Sequence, residues 1–505
     1  MKRILAIALA LLLLLAACLV SCGEAKDPKQ DETTPDDPNP SAESATGESE
    51  TEEKQIQPDL PEMNFGGKEV HCLHWTLGED GVGGGWIPWE EIAVEQPDGE
   101  VMSQAVYDRN GYVEEKYGVQ ISTEYAQANT ELPNRILRAV STNDPAYSFI
   151  VERSLDLRTM WTSGSFYNLK GEELSYLDLS KPWWNKDSLE AFTFGNVTQF
   201  ASSDMLVLDK SETGVVLFST SLQTDLGLDD YYQLARDGKW TWDALIRNSE
   251  ICVSDLDGNL TMDAADRYGS CGNRAPSNYL YVGSGLHFAQ VDRDGYIYSD
   301  VYSQESINLM QDIHEMILYQ DFHAHSDHIP DFGLSRKFMA NEIEFLFYSV
   351  KIANSFRTME TDYGILPIPK YDEEQTRYYN LVMPDGDSVL AVPISNDDPE
   401  VTGFVLEALS AKSYYTVYPS FYEVVLKGKS TRDQESREML DLIFQNRTYD
   451  TGLVHGLGGF TNAYVTYAAN HYGEVGFVSL CEEYDDIIDS ALEDINKLID
   501  DWNKQ

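Results

Sequence analysis

Carboxylates are the commonest chemical groups in this 505-residue chain, with 85 Asp and Glu against 36 Lys and Arg. At that density some pair always sits close in sequence, so proximity alone is not a catalytic signal. Glycoside chemistry needs two carboxyls about 5–5.5 Å or 6.5–9.5 Å apart across a substrate. The sharper signatures are missing: there is no G-x-S-x-G elbow, no H-E-x-x-H helix and no Walker-type phosphate loop. Two short clusters carry metal-ligating types. Asp255, Asp257, Asn259, Asp263 and Asp266 place side-chain oxygens at loop positions 1, 3, 5, 9 and 12, the spacing of a structural calcium loop. Gly258 falls at position 4 instead of 6, and position 12 is Asp, so a plain acidic turn competes with calcium. His323, His325, Asp327 and His328 are ligand types that zinc accepts. They lack a second cluster at finger spacing and read as a solvated loop after a helix, which leaves metal import a minor option.

The elements that must position such groups alternate from Phe65 onward. Lys68–Trp75 reads as a strand, Met102–Tyr117 as an amphipathic helix, Val119–Tyr125 as a strand, Glu131–Val140 as a helix and Tyr147–Val151 as a buried strand. That order predicts an α/β lobe with parallel strands. Residues 76–100 form a glycine-rich insertion with Trp86 and Trp89, long enough to expect a functional or mobile role. Further on, Phe192–Ala201 and Gly214–Ser219 read as strands and Leu228–Arg236 as a helix. Thr241 is placed to cap the helix opened by Trp240-Thr241-Trp242-Asp243. Helices are expected near 304–320 and 332–341, strands at Glu342–Tyr348, Tyr363–Leu366 and Asp387–Val392, and an almost wholly helical remainder. Four cysteines lie in this body. Cys252 and Cys271 flank one loop, so a disulfide outside the cell and buried free thiols are both open.

The start of the chain bears on compartment. Met1-Lys2-Arg3 is followed by an apolar run to Val20, and Leu19-Val20-Ser21-Cys22 resembles the lipobox of bacterial lipoproteins. Leu15-Ala16-Ala17-Cys18 fits the same pattern, but Leu19 and Val20 prolong the apolar segment after it, so Cys22 is the expected lipid attachment, palmitate included. Residues 1–22 are then a signal peptide. Residues 23–64, with no aromatic residue and 13 acids against three bases, form a disordered acidic linker. Extracytoplasmic attachment to the bacterial cell membrane through the lipid alone follows. The net charge of −49 excludes a nucleic-acid binder, which needs a basic surface, and disfavours an electrostatic grip on anionic lipid.

Several stretches together resemble the extracellular solute-binding lipoproteins of ABC importers, the group of maltose-binding protein. Tyr107–Gly118 followed by a strand is similar to their first helix, and Glu212–Leu222 to the strand that crosses between lobes. Lys239–Leu245 (KWTWDAL) resembles the helix start after that crossing. Phe338–Tyr348 with Tyr363–Lys370 (YGILPIPK) resembles the second-lobe segment ending in a G-x-x-P-x-P turn. Ser388–Ala408 resembles the returning strand and its helix. The resemblance covers nearly all of 65–505; the insertion at 76–100 and the span 412–480 depart from it. It implies a two-lobed α/β fold of type II, each lobe a mixed, mainly parallel sheet flanked by helices, with a helical C-terminal part. The first lobe would be 65–209 with 386–425, the second 210–385 with 426–505.

The resemblance also implies a ligand cleft between the lobes, an ABC permease as partner, a monomer, no required cofactor and no catalysis. Aromatic faces and carboxylates suit a carbohydrate, whose C–H faces stack on rings while its hydroxyls need fixed partners. Cleft-facing strand ends nominate Trp75, Glu152 and Arg153 in the first lobe, Asp204 and Glu212 near the crossing, and Tyr281 and Tyr348 in the second. Ordinary packing is the competing reading for each. Trp183 and Trp184 are expected in a packed loop or at the cleft rim. A secreted glycan-active enzyme and a cell-surface glycan-binding adhesin are the alternative functions.

Overall fold

Buried β-branched and aromatic runs build two separate sheets. In a computed structural model the chain is described over residues 55–77, 89–128, 131–157, 160–272, 276–318, 322–325, 333–356, 359–426, 434–464 and 477–504. The signal segment, Cys22, most of the linker, and Trp86 lie outside these residues. The first sheet has the order Val389–Ala391, Phe149–Glu152, Lys68–Thr76, Val119–Gln127. Lys68–Thr76 is parallel to both its neighbours, while Val389–Ala391 runs antiparallel to Phe149–Glu152. The helix Val101–Tyr117 makes the first crossover and ends at Gly118, whose left-handed φ of 63° lets its amide close on Glu114 O. A side chain at Gly118 would also collide with Asn64, whose Oδ1 lies 2.4 Å from an added Cβ.

The second sheet has the order His323–His325, Tyr268–Gly272, Ile343–Ser349, Gly214–Ser219, Tyr363–Leu366. Gly214–Ser219 is antiparallel to both its neighbours and the remaining pairs are parallel. Tyr231, Trp240 and Phe345 pack ring against ring beneath it, and Trp240 Nε1 donates to Pro367 O at 2.8 Å. The helices Pro399–Tyr414, Val417–Leu426, Gln434–Gln445 and Phe477–Trp502 supply the C-terminal part. Residues 57–505 form one compact body.

Three expectations are corrected. Phe192–Ala201 is not one strand: Lys186–Phe192 is a helix, followed by the two-residue pairing of Thr193–Phe194 with Val197–Thr198. His323 is not in a solvated loop. It is buried in the edge strand His323–His325, with Nδ1 2.8 Å from Ser270 Oγ, while Asp327 and His328 lie outside the described residues. The Thr241 side chain makes no cap hydrogen bond, although the helix does begin at Trp242. Cys72, Cys252, Cys271 and Cys481 are all buried free thiols, so the Cys252–Cys271 alternative resolves to no bond. Tyr268–Gly272 was not anticipated because YGSCG lacks bulky alternation. Its small residues serve a close approach, and a Cβ at Gly269 would meet Ser249 O at 2.1 Å.

Candidate functional site

Both sheets point their strand ends at the same place. Val389 lies opposite Glu152, and Gly214 opposite Ser349, so the ends of Phe149–Glu152 and Ile343–Ser349 meet the segments that pass between the sheets. Those segments run side by side. Thr213 bridges Val382, Met383 N donates to Glu212 O at 3.1 Å, and Lys351 N donates to Ser211 O at 2.9 Å. In open α/β folds this junction beyond the strand ends is where ligands settle.

Three side-chain groups fill the junction. In the first, Arg153 Nε donates to Asp156 Oδ2 at 2.7 Å, its Nη1 reaches Asp385 O at 3.0 Å, and its guanidinium lies 5.5 Å from the centre of the Trp75 ring. In the second, Lys351 pairs with Glu212. Burial nevertheless pushes the Glu212 carboxyl up against the pull of Lys351. Tyr348 stands beside this pair half-buried, and the Asp385 carboxylate is exposed. In the third, Lys210 Nζ sits 3.2 Å from both Asp204 and Asp209, and Arg447 Nη1 is 3.1 Å from the other Asp209 oxygen.

Between these groups lies a fully buried layer. Asp387 accepts Ser154 N at 2.8 Å and Ser154 Oγ at 2.6 Å, and burial lifts its pKa to about 8. Glu152 accepts Arg153 N on one oxygen while the other has no partner, and burial raises it well above the carboxylate range. Burial of this kind favours the neutral form of a carboxyl.

The nominated residues therefore divide. Arg153, Glu212, Asp204 and Tyr348 gather at the junction, with Glu152 sealed beneath it. Trp75 is fully enclosed, with Nε1 donating to Ser388 Oγ at 3.2 Å; its ring is a floor under Arg153 and has no open face for stacking. Tyr281 lies in the interior instead, donor or acceptor to Ser306 Oγ at 2.7 Å and packed on Phe288 and Tyr464. Its helical segment Pro276–Gly283 is buried on every side, a feature periodicity does not distinguish from a cleft wall. Trp183 and Trp184 are buried too, both donating from Nε1 to Glu407. Lys351, Asp385, Asp387 and Glu91 were missed. The rule of strand ends would have reached the first three, which lie within four residues of one.

The acidic loop brings one oxygen each of Asp255, Asp257 and Asp266 within 4.8 Å of one another. These are hard ligands of the calcium type. Asp255 and Asp266, however, each accept two backbone amides, from Gly258 and Leu260 and from Leu256 and Asp263. Asn259 Nδ2 binds Asp257 and Asp263. The turn's shape is accounted for by these internal bonds.

No protein-family model and no curated protein matches the chain in sequence. Solved structures match it in shape. The ABC substrate-binding protein Lmo0181 from Listeria monocytogenes, in complex with cycloalternan, superposes with a TM-score of 0.54 at 10% identity, over 85% of this chain and 99% of that one. The cyclic alpha-maltosyl-1,6-maltose binding protein from Arthrobacter globiformis gives 0.54 at 11% identity, over 85% and 100%. UgpB from Mycobacterium tuberculosis, in complex with glycerophosphocholine, gives 0.52 at 14% identity, over 77% and 95%. With its two mixed sheets, paired crossing segments and helical C-terminal part, the chain has the two-lobed, type II fold of the periplasmic binding proteins, in its maltose-binding-protein-like form.

Proposed function

We propose that this protein captures a carbohydrate or related small solute reversibly between its lobes and passes it to an ABC permease, with no chemistry on the ligand. The observation that carries this reading is the convergence of strand ends from both sheets on the crossing segments, with Arg153, Tyr348 and Asp385 around one junction. Support comes from the shared fold and from the cycloalternan and maltosyl-maltose named for two of its neighbours. Tyr348 offers a ring for a C–H face, while Arg153 and the exposed Asp385 offer charged partners for hydroxyls. The division into lobes at 65–209 with 386–425 and 210–385 with 426–505 belongs to this proposal, as do attachment through Cys22, an extracytoplasmic site of action and a monomeric state.

The deciding experiment is a thermal-shift screen of a solute library on the purified body, followed by chromatography of whatever binds. A ligand that binds only the native state raises the melting temperature by mass action. Saturable binding with the sugar recovered intact supports the proposal. Hydrolysed products would make it a glycan-active enzyme. Retention on polymer or cells with no small-solute shift would make it an adhesin.

A further inference from the structure

The first sheet ends on one side at Val119–Gln127, which pairs with Lys68–Thr76 and, among the described residues, with no other strand. Successive residues of a strand turn their N–H and C=O groups to opposite edges. Ala128 N donates to Thr76 O at 2.9 Å, so even-numbered residues here face Lys68–Thr76 and odd-numbered ones face away. Two of the outward amides are answered by side chains. Ile121 N donates to Glu114 Oε1 at 2.8 Å, and Gln127 N to Glu131 Oε2 at 3.2 Å. The amides of Thr123 and Tyr125, between them, meet no acceptor among the described residues. Proteins commonly blunt a sheet edge with charges or a cover; here both ends of the edge are blocked and its middle is left open.

A pocket lies along that opening. Thr123 and Tyr125 line it together with Glu90 and Glu95 of the insertion and Tyr107 of the first helix. All of its lining falls between residues 90 and 125, within the first lobe, and it shares no residue with the junction. Thr123 Oγ1 and the Tyr125 hydroxyl are buried atoms with no hydrogen-bond partner among the described residues. Glu90 and Glu95 make no hydrogen bond or ion pair among those residues either, and burial, Asp98 and Glu95 together raise the Glu90 pKa. Free amides and carbonyls at alternate positions match the backbone of an added strand. Unpaired carboxylates beside them match basic side chains. A second copy of this chain is disfavoured there, because it would set its own Glu90 and Glu95 against the same residues, on a body already carrying most of a −49 charge. We propose that this edge is a docking site for an extended, lysine- or arginine-bearing segment of a partner protein, which adds as a further strand over 121–125 and sets its basic side chains on Glu90 and Glu95. Main-chain bonds to Thr123 and Tyr125 supply the alignment, and the carboxylates supply the selectivity. The site stands whether or not the carbohydrate reading holds.

Hydrogen exchange on the full-length protein is the first test. In the free protein the Thr123 and Tyr125 amides should exchange fast, while those of Ser122 and Glu124, which face Lys68–Thr76, stay protected. Equal protection at all these positions would mean that the edge is already paired and would overturn the proposal. Fluorescence anisotropy with the labelled peptide Thr-Lys-Val-Lys-Thr is the second. It should bind saturably and slow exchange at Thr123 and Tyr125 about tenfold or more, whereas Thr-Glu-Val-Glu-Thr should not. N-methylation at alternate residues removes the hydrogen bonds of one peptide edge at a time, so one methylated register should lose binding and the other keep it. Glu90→Gln combined with Glu95→Gln should weaken binding about tenfold with an unchanged melting temperature. Thr123→Pro, at an edge position whose N–H faces outward, should weaken it as well. Binding of both methylated peptides would reduce the contact to loose charge attraction and overturn the proposal. Equal binding of the acidic peptide, or no saturable binding of the basic one, would overturn it too.

Discussion

Glu91 accepts the hydroxyl of Ser388 at 2.8 Å, although 297 residues separate them. The same carboxylate accepts the amides of Val207 and Leu208 on its other oxygen and faces His74 Nε2 at 3.1 Å. One fully buried side chain from the insertion thereby joins the end of the first strand to both crossing segments. Arg109, its guanidinium pushed down to about 9 by burial, fixes the insertion by donating to Glu91 O and Ile92 O. The described half of that insertion is a structural clamp.

Replacing Glu91 by Gln should therefore destabilise the whole body. The amide NH₂ would face donors where a carboxylate oxygen stood, leaving buried amides unanswered. A loss of about 3 kcal/mol is expected, read as a lower urea midpoint with an unchanged slope. A change under about 0.5 kcal/mol would show that water or rearrangement replaces the clamp.

Tyr348 and Trp75 should separate binding from stability. Tyr348→Ala removes a half-buried ring at the junction and should weaken carbohydrate affinity by about 2 kcal/mol, with a small effect on unfolding. Trp75→Ala opens a cavity beneath Arg153 and should cost about 3–5 kcal/mol of stability. Ligand titration and denaturant unfolding on both variants check the pair; the reverse pattern would return the stacking role to Trp75.

Two buried groups should bend the pH profile of stability in opposite senses. His455 packs against Trp161 and Phe194 with both ring nitrogens unpartnered, and burial drops its pKa to about 3. The unfolded imidazole takes a proton near pH 6.5, so the unfolded state binds more protons below that. The contribution of His455 is complete above about pH 6.5 and is lost as pH falls toward 3. His455→Phe should flatten that acid limb.

Glu344 behaves in the opposite way. Its carboxyl is buried beside the Tyr231 hydroxyl, and burial raises it well above the carboxylate range. It stays protonated in the fold, while the unfolded carboxyl ionises above about pH 4.3. Its contribution is present below that pH and declines as pH rises, by at most ~1.4 kcal/mol per pH unit. In Glu344→Gln the decline should disappear. Unfolding free energies measured across the range would show whether each limb belongs to its residue.

The lipid anchor is tested at the mature N-terminus. Cys22→Ala should release the protein from the membrane fraction, and mass spectrometry of the native chain should find a lipid-modified Cys22. A mature chain starting at Cys18 would move the site and keep the anchor. An unmodified terminus beyond Cys22 would remove it.

Local patterns carried much of the architecture. Lys68–Thr76, Val101–Tyr117, Gly214–Ser219, Ile343–Ser349 and Tyr363–Leu366 all lie within about a residue of where side-chain periodicity and turn residues put them, because each depends on neighbours a few positions away. The order of the motifs sufficed for the two-lobed fold. What the sequence did not contain was which polar groups end up together. Tyr268–Gly272 is a strand because small residues let the helix Trp242–Cys252 press on it, not because its own residues favour one. Arg153 and Tyr348 reached the junction by the logic of strand ends, yet the same logic set Trp75 there, and only packing showed its ring enclosed. Glu91 has ordinary sequence surroundings, and Asp387 and Lys351 lie beside strand ends with nothing local that names their partners. Their roles come from partners far along the chain, brought near by two crossing segments whose pairing is a property of the folded body. Burial then decides which carboxyls keep their charge, and burial is a sum over many distant contacts that no local stretch of residues records.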